Sequence, residues 1–280
     1  MNETATDPEA FYDAYGDAEW DRLKRGIDGR LEYEPTIAAI EETLPRSGTV
    51  LDAGGGAGRY AIWLAERGYE VTLADLSRTQ LSIAKEKIST HGVADRVELV
   101  RKTVTDLGFD DETFDATLCL GGPISHLLDA ADRRRAASEL RRVTVSDGPV
   151  LVSVMGLFGF LQLQFVTGQH VGALPELLDT GDYDDALLEP HGYENQFTAT
   201  HFFRRSELRS LLEAAGIEVS TIVGLEGFGS VYHDERTADR IEALSVSERE
   251  AIVETIDRIR DDPVVADLSV HMLAVGSVRD

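Results

Sequence analysis

The run Asp52-Ala53-Gly54-Gly55-Gly56-Ala57-Gly58 constrains this chain more than any other stretch. It follows the apolar segment TVLDA and precedes residues 60–67, whose apolar side chains recur at helical spacing. Glycines at such a place let the backbone turn sharply and let a ligand lie against the main chain without Cβ clashes. A strand that ends in this turn and feeds a helix is one unit of an α/β sheet. The chain then repeats the unit.

EVTLAD reads as a second strand, and Ser77 with Gln80 as a capping box opening a helix with Leu81, Ala84 and Ile88 on one face and Gly92 as its stop. VELV and FDATLCL read as the third and fourth strands. Residues 132–143 form a helix with Arg141 and Arg142 in its last turn, and PVLVSVM is the fifth strand. IEVSTIVG and SVHMLAVGSV supply a sixth and a seventh. Strands alternating with helices imply a three-layer, doubly wound, Rossmann-like α/β fold with a mostly parallel seven-stranded sheet. Before it, Trp20, Leu23 and Ile27, and again Ile37, Ile40 and Leu44, give a helical segment 1–46, with Pro35 suited to a first helical turn and Pro45 ending the second helix. The sheet core spans 47–155. Residues 156–203 are too long for an ordinary connection and read as an inserted cap. Residues 204–280 complete the sheet, with a helical insertion near 236–262 opened by a capping box at Ser247 and Glu250.

The glycine loop excludes some ligands. A dinucleotide fingerprint has its third glycine where Arg59 stands or, one register on, Ala61, an alanine that the fingerprint sometimes allows; no G-K-[ST] follows, as a nucleotide P-loop requires. What fits is acid-x-Gly-x-Gly-x-Gly, with Asp52, Gly54, Gly56 and Gly58. This spacing resembles the first motif of the class I S-adenosylmethionine-dependent methyltransferases. The resemblance covers about residues 48–155. It implies S-adenosylmethionine as cofactor, leaving as S-adenosylhomocysteine, cradled by Asp52, Ala53, Gly54, Gly55, Gly56 and Gly58. It matches Asp75 to the acid that binds the ribose hydroxyls, and a carboxylate can accept two such bonds at once. It matches Asp106 to the acid that takes the adenine amino group, Leu76 and Leu107 to the residues flanking the ring, and Leu120 and Gly121 to the motif beside the methionine part. Asp52 could instead accept bonds from loop amides, and Asp106 could be a plain turn residue. The stretches EWDRL and Arg30-Leu31-Glu32 resemble a subgroup whose N-terminal segment folds over the cofactor, making Tyr12, Tyr15 and Arg30 candidates to touch it. Arg30 would pair with the methionine carboxylate or simply lie on the surface.

Seven histidines are scattered without metal-ligand spacing, so no metal is expected. His126, after the fourth strand, is the candidate base and acceptor contact, or else a packed helix-start residue. His170 and His201 are weaker acceptor contacts, while His91 and His271 read as structural. Cys119, the only cysteine, lies inside a strand and reads as core.

Composition bounds the acceptor. Lys+Arg 27 against Asp+Glu 51 gives a net charge of −24, which disfavours nucleic acid and anionic membrane surfaces. Lysine occurs only at Lys24, Lys85, Lys87 and Lys102, and the acids are spread along the chain, a pattern resembling haloarchaeal proteins. Without a signal-like N-terminus or a membrane-length apolar run, a cytoplasmic protein is expected, as a monomer or homodimer acting on a small-molecule methyl acceptor at O, N or C. The alternatives are an NAD(P)-dependent oxidoreductase and a non-catalytic cofactor-binding protein.

Overall fold

The computed structural model describes residues 7–23, 26–195 and 197–279. Among the described residues nine strands form: β1 (Thr49–Ala53), β2 (Glu70–Asp75), β3 (Val97–Arg101), β4 (Ala116–Cys119), β5 (Pro149–Met155), β6 (Asp182–Tyr183), β7 (Thr200–His201), β8 (Ile217–Gly224) and β9 (His271–Val278). Seven of them make one sheet in the order β3-β2-β1-β4-β5-β9-β8. The first five run parallel, whereas β9 pairs antiparallel with both β5 and β8. The strand order reverses between β1 and β4, and in an open α/β sheet the crevice at such a switch point is where ligands bind.

The central strands β4, β5 and β9 are buried on both faces, so they read as near-continuous apolar runs. Three helices, α3 (Gly26–Thr43), α4 (Arg59–Glu66) and α5 (Arg78–His91), cover one face. Their Ile40, Leu64 and Ala84 pack with Val50, Leu73 and Leu118. Helices α6 (Ala130–Val143) and α10 (Arg205–Ala214) cover the other, where Leu140, Leu208 and Leu212 meet Leu51, Val152 and Ala274.

The expectation that Pro35 opens a helix is corrected. It lies inside α3, which runs unbroken to Thr43. A proline removes one N–H from the ladder, and the hydroxyl of Thr36 bonds the Glu32 carbonyl one turn back, at 2.7 Å. The later capping box also moves. The motif occurs in two overlapping registers, and Ser245 with Glu248 closes the box of α12 (Val246–Asp257). That register puts Val253 and Ile256 into the interior and frees Glu250 to bind Arg30.

Segment 156–203 carries α7 (Leu157–Thr167), α8 (Leu174–Thr180), α9 (Asp185–Leu188) and the β6-β7 hairpin around a small core of its own. There the rings of Phe160 and Phe202 stack at 4.0 Å. The segment is stitched to the sheet where Phe203 and Met155 share a hydrogen bond of 2.8 Å.

The N-terminal helices α1 (Pro8–Tyr15) and α2 (Asp17–Arg22) lie over the ends of β1 and β2. Ser77 caps α5 through the Gln80 amide, but the Gln80 side chain does not return to Ser77 as a full capping box would have it. It donates instead to the carbonyls of Tyr12, at 2.9 Å, and Gly16, at 3.1 Å. Asp13 adds bonds to the Ser77 hydroxyl and the Thr79 amide. One side chain thus clasps the end of α1 to α5. Gln80→Ala is expected to speed amide hydrogen exchange in α1 while leaving the sheet protected, and unchanged exchange in α1 would show that the clasp is not what holds it.

Candidate active site

The cavity of about 310 Å³ lies at the carboxyl ends of β1, β2 and β4, under α1 and α2. Its floor is the backbone of Gly54, Gly55, Gly56 and Ala57. Gly54 has φ +78°, and a Cβ there would stand 2.3 Å from Pro123 Cγ, so only glycine fits. Gly56, at φ +51°, turns its amide toward β2, where Asp75 Oδ2 accepts it at 2.8 Å. Asp75 Oδ1 accepts the Ser77 amide, also at 2.8 Å. One carboxylate therefore sets the loop after β1 against the loop after β2 while lining the cavity. Burial raises its pKa to about 6.

Asp52 lies beneath this floor and is wholly buried. Apart from a weak approach of the Ala61 amide, neither of its carboxylate oxygens has a hydrogen-bond partner. Burial and the nearby Asp75 push its pKa up to about 7. An orphaned carboxylate is costly in the interior, and it gives the floor a negative potential suited to a cationic ligand above it.

The walls come from the N-terminal helices. Arg22 grips Glu32 through two nitrogens and Glu19 at 3.3 Å. Glu19 itself is shifted upward by burial. Arg59 stacks over Trp20 at 4.3 Å and donates to its carbonyl. At the far end stands His126, whose Nδ1–H donates to the Ala199 carbonyl at 3.1 Å. That fixes the tautomer, so Nε2 carries the lone pair that accepts the Tyr12 hydroxyl at 3.0 Å. Burial drives the His126 pKa down to about 4 and the Tyr12 phenol upward. The imidazole is therefore neutral at physiological pH.

Residues 50–148 match the family model of a methyltransferase domain. Among curated proteins, the glycine/sarcosine/dimethylglycine N-methyltransferase of Actinopolyspora halophila is 28% identical over 212 residues, covering 71% of this chain and 36% of that protein. The glycine/sarcosine N-methyltransferase of Halorhodospira halochloris is 27% identical over 259 residues, covering 86% and 90%. Among solved structures, a SAM-dependent methyltransferase from Methanosarcina mazei superposes with TM-score 0.59 at 18% identity, covering 86% of this chain and 96% of that one. The chain carries a methyltransferase domain, on the fold of the S-adenosylmethionine-dependent methyltransferases. Its cofactor is S-adenosylmethionine. The cavity fits that group: a floor of exposed main chain at residues 54–57, turned by the left-handed Gly54 and Gly56, the Asp75 carboxylate at its rim, and the buried, unpartnered Asp52 carboxyl beneath it.

The residues singled out from the methyltransferase's sequence divide into two groups. Gly54, Gly55, Gly56, Asp75, Leu76, Leu120, Gly121 and His126 line the cavity together. Asp52, Ala53 and Gly58 support it from below, Gly58 as the left-handed residue before α4. The others stand apart from it. Asp106 is exposed on a turn closed by its own amide to the Thr103 carbonyl, and Leu107 is fully buried in the sheet core, so Lys102, Thr103 and Val104 form that wall instead. Tyr15 stacks on Phe11 outside the cavity while Tyr12 points in. Arg30 is tied to Glu34 and Glu250 on the outer side of α3, and Arg22 and Arg59 are at the cavity. His170 packs against Tyr183 and Tyr193, and His201 bridges Asp182 and Glu207 within the inserted segment; neither lines the cavity.

Sequence reading missed Arg22, Glu19 and Gln80. EWDRL held the signal, an acid and an arginine three apart on one helical face beside a tryptophan.

The assignment of Asp75 to the ribose diol carries a pH signature. A carboxylate accepts two hydroxyl bonds only when ionised, and its pKa before ligand binding is about 6. S-Adenosylhomocysteine affinity is therefore expected to fall as pH drops below about 6. Asp75→Asn should remove that dependence and cost about 1.5–3 kcal/mol of binding, the scale of a lost charged hydrogen bond. Calorimetric titration across pH tests both, and an unaltered pH profile in the variant would break the assignment.

Proposed function

We propose that this methyltransferase transfers a methyl group to the nitrogen of a small amine-bearing acceptor held at the His126 end of the cavity. The observation that carries this reading is the neutral, tautomer-fixed His126, whose Nε2 lone pair faces the phenol of Tyr12 at the cavity wall. The amine reacts as its free base, and a neutral imidazole joined to a phenol holds the Tyr12 hydroxyl in place to accept a hydrogen bond from the amine N–H and aim its lone pair at the methyl. The cofactor supplies an electrophilic sulfonium methyl, so the protein's remaining work is alignment and exclusion of water.

Three features of the chain support a cationic small acceptor. Glu19 and Asp75 place carboxylates in the cavity lining, with Asp52 buried beneath it. The N-terminal helices and the inserted segment meet above it, Phe11 against Phe197 at 5.2 Å and Phe197 against His126 at 6.0 Å, which leaves room for a metabolite rather than a polymer. The relatives named above are N-methyltransferases of amino acids. We take residues 156–203 to act as the lid of this site. The acid-rich composition, read as salt adaptation, sets the assay medium.

Small primary and secondary amines, each paired with its hydroxyl analogue, should be screened for S-adenosylhomocysteine release in molar KCl. Amines are expected to turn over and their hydroxyl analogues not. His126→Ala should lower kcat by about 10²-fold or more while S-adenosylhomocysteine still binds. Turnover confined to the hydroxyl series, or a wild-type rate in His126→Ala, would defeat the proposal.

A further inference from the structure

Behind the cavity wall, on the side away from His126, three side chains converge. Glu226 follows β8, His233 ends the short 3-10 helix Gly227–His233, and His271 begins β9. One ligand atom from each lies within 4.8 Å of the other two. Glu226 is fully buried and His271 nearly so. Glu32, on α3, brings a second buried carboxylate to within 3.7 Å of His271 Nδ1.

Each group is held in place by its surroundings. Glu226 Oε2 accepts the Ser269 hydroxyl at 2.6 Å and the His271 amide at 2.9 Å, which leaves Oε1 facing the cluster. His271 Nδ1 stands 2.6 Å from that oxygen. His233 Nε2 is buried, has no hydrogen-bond partner and lies 3.8 Å from the same Oε1. Its other nitrogen, Nδ1, is turned toward Asp28, at 3.8 Å. A histidine with one ring nitrogen toward a carboxylate and the other aimed, unpaired, at a nest of N and O donors has the arrangement that metal-ligating imidazoles adopt.

We propose that Glu226, His233 and His271, with Glu32 completing the set, bind one divalent transition-metal ion of the Zn²⁺ type. Two imidazole nitrogens and two carboxylate oxygens are a borderline donor set that suits zinc in four-coordinate geometry. Occupancy requires the His271 Nδ1 lone pair to be free of a proton, so protons compete with the ion. With four protein ligands and no open position, the ion is structural: it joins α3, the segment after β8 and the start of β9. Because Glu32 is also the partner of Arg22, the ion sits one residue removed from the cofactor cavity. The cluster escapes sequence reading because its members come from four separate elements with no spacing motif among them.

The test uses the full-length, untagged protein stripped with a chelator and then dialysed free of it. Titration with Zn²⁺ alone should show one equivalent bound per chain, an affinity that weakens as pH is lowered, and a rise in Tm. His233→Ala is the informative variant, since this partly exposed side chain does not touch the cofactor cavity. It should fold with the Tm of the stripped wild type, bind S-adenosylhomocysteine as the wild type does, and lose the tight equivalent together with its Tm increment. His271→Ala should lose it too. Should wild type and His233→Ala respond alike to Zn²⁺, or should the wild type bind none, the cluster is a protonated ion network and the proposal fails.

Discussion

The bond from the Gly56 amide to the Asp75 carboxylate governs the shape of this molecule's functional end. It couples two things that the sheet alone leaves independent: the path of the loop after β1 and the rotamer of the last residue of β2. Parallel pairing aligns Ala53 with Ala74 and so brings the two strand ends level. Beyond that point there is no ladder. Asp75 takes over, accepting one amide from each of the loops that diverge there. The cavity exists because those loops are held apart by a side chain rather than packed together.

A carboxylate kept in that position has an electrostatic cost. Its pKa rises to about 6, and the deeper Asp52 rises to about 7 partly because Asp75 is its neighbour. Two buried acids with so few hydrogen-bond donors are a poor solution for stability and a good one for a cationic ligand, which relieves both at once. The same logic extends along the wall. Arg22 balances Glu19 and Glu32, and burial opposes the ionised form of each carboxylate. Removing one partner from such a set strands the other, so the N-terminal helices and the cavity are energetically one structure.

What was legible in the sequence was local. The glycine loop, the acid closing β2 and the strand–helix alternation each depend on residues a few positions apart, and their spacing fixes their geometry. The parallel order of the first five strands followed from the alternation. The failures share a cause in helix phase and choice of register. Arg22 closes α2 and Arg30 lies in α3, and which of them faces the cavity depends on how the two helices are phased against the sheet, which no local rule supplies. Ser247 and Ser245 open equally good capping boxes, and burial of Val253 and Ile256 selects between them. Asp106 satisfies the family spacing, yet its turn closes on its own backbone and leaves the side chain exposed.

The N-terminal segment shows why such information is absent from any short window. Gln80 has the right position for a capping box, and Ser77 does cap α5. The glutamine is drawn away by the carbonyls of Tyr12 and Gly16 at the end of a helix more than sixty residues earlier. Tyr12, on that same helix, reaches His126, whose other nitrogen is fixed by Ala199 from the inserted segment. The tautomer and acidity of one imidazole thus rest on the meeting of three parts of the chain, each carrying one polar group that burial would leave unsatisfied without the others. The requirement that buried polar groups find partners therefore ties the two ends of the cavity together: Gln80 anchors α1, α1 presents Tyr12, and Tyr12 completes the pairing of the residue best placed to handle a proton.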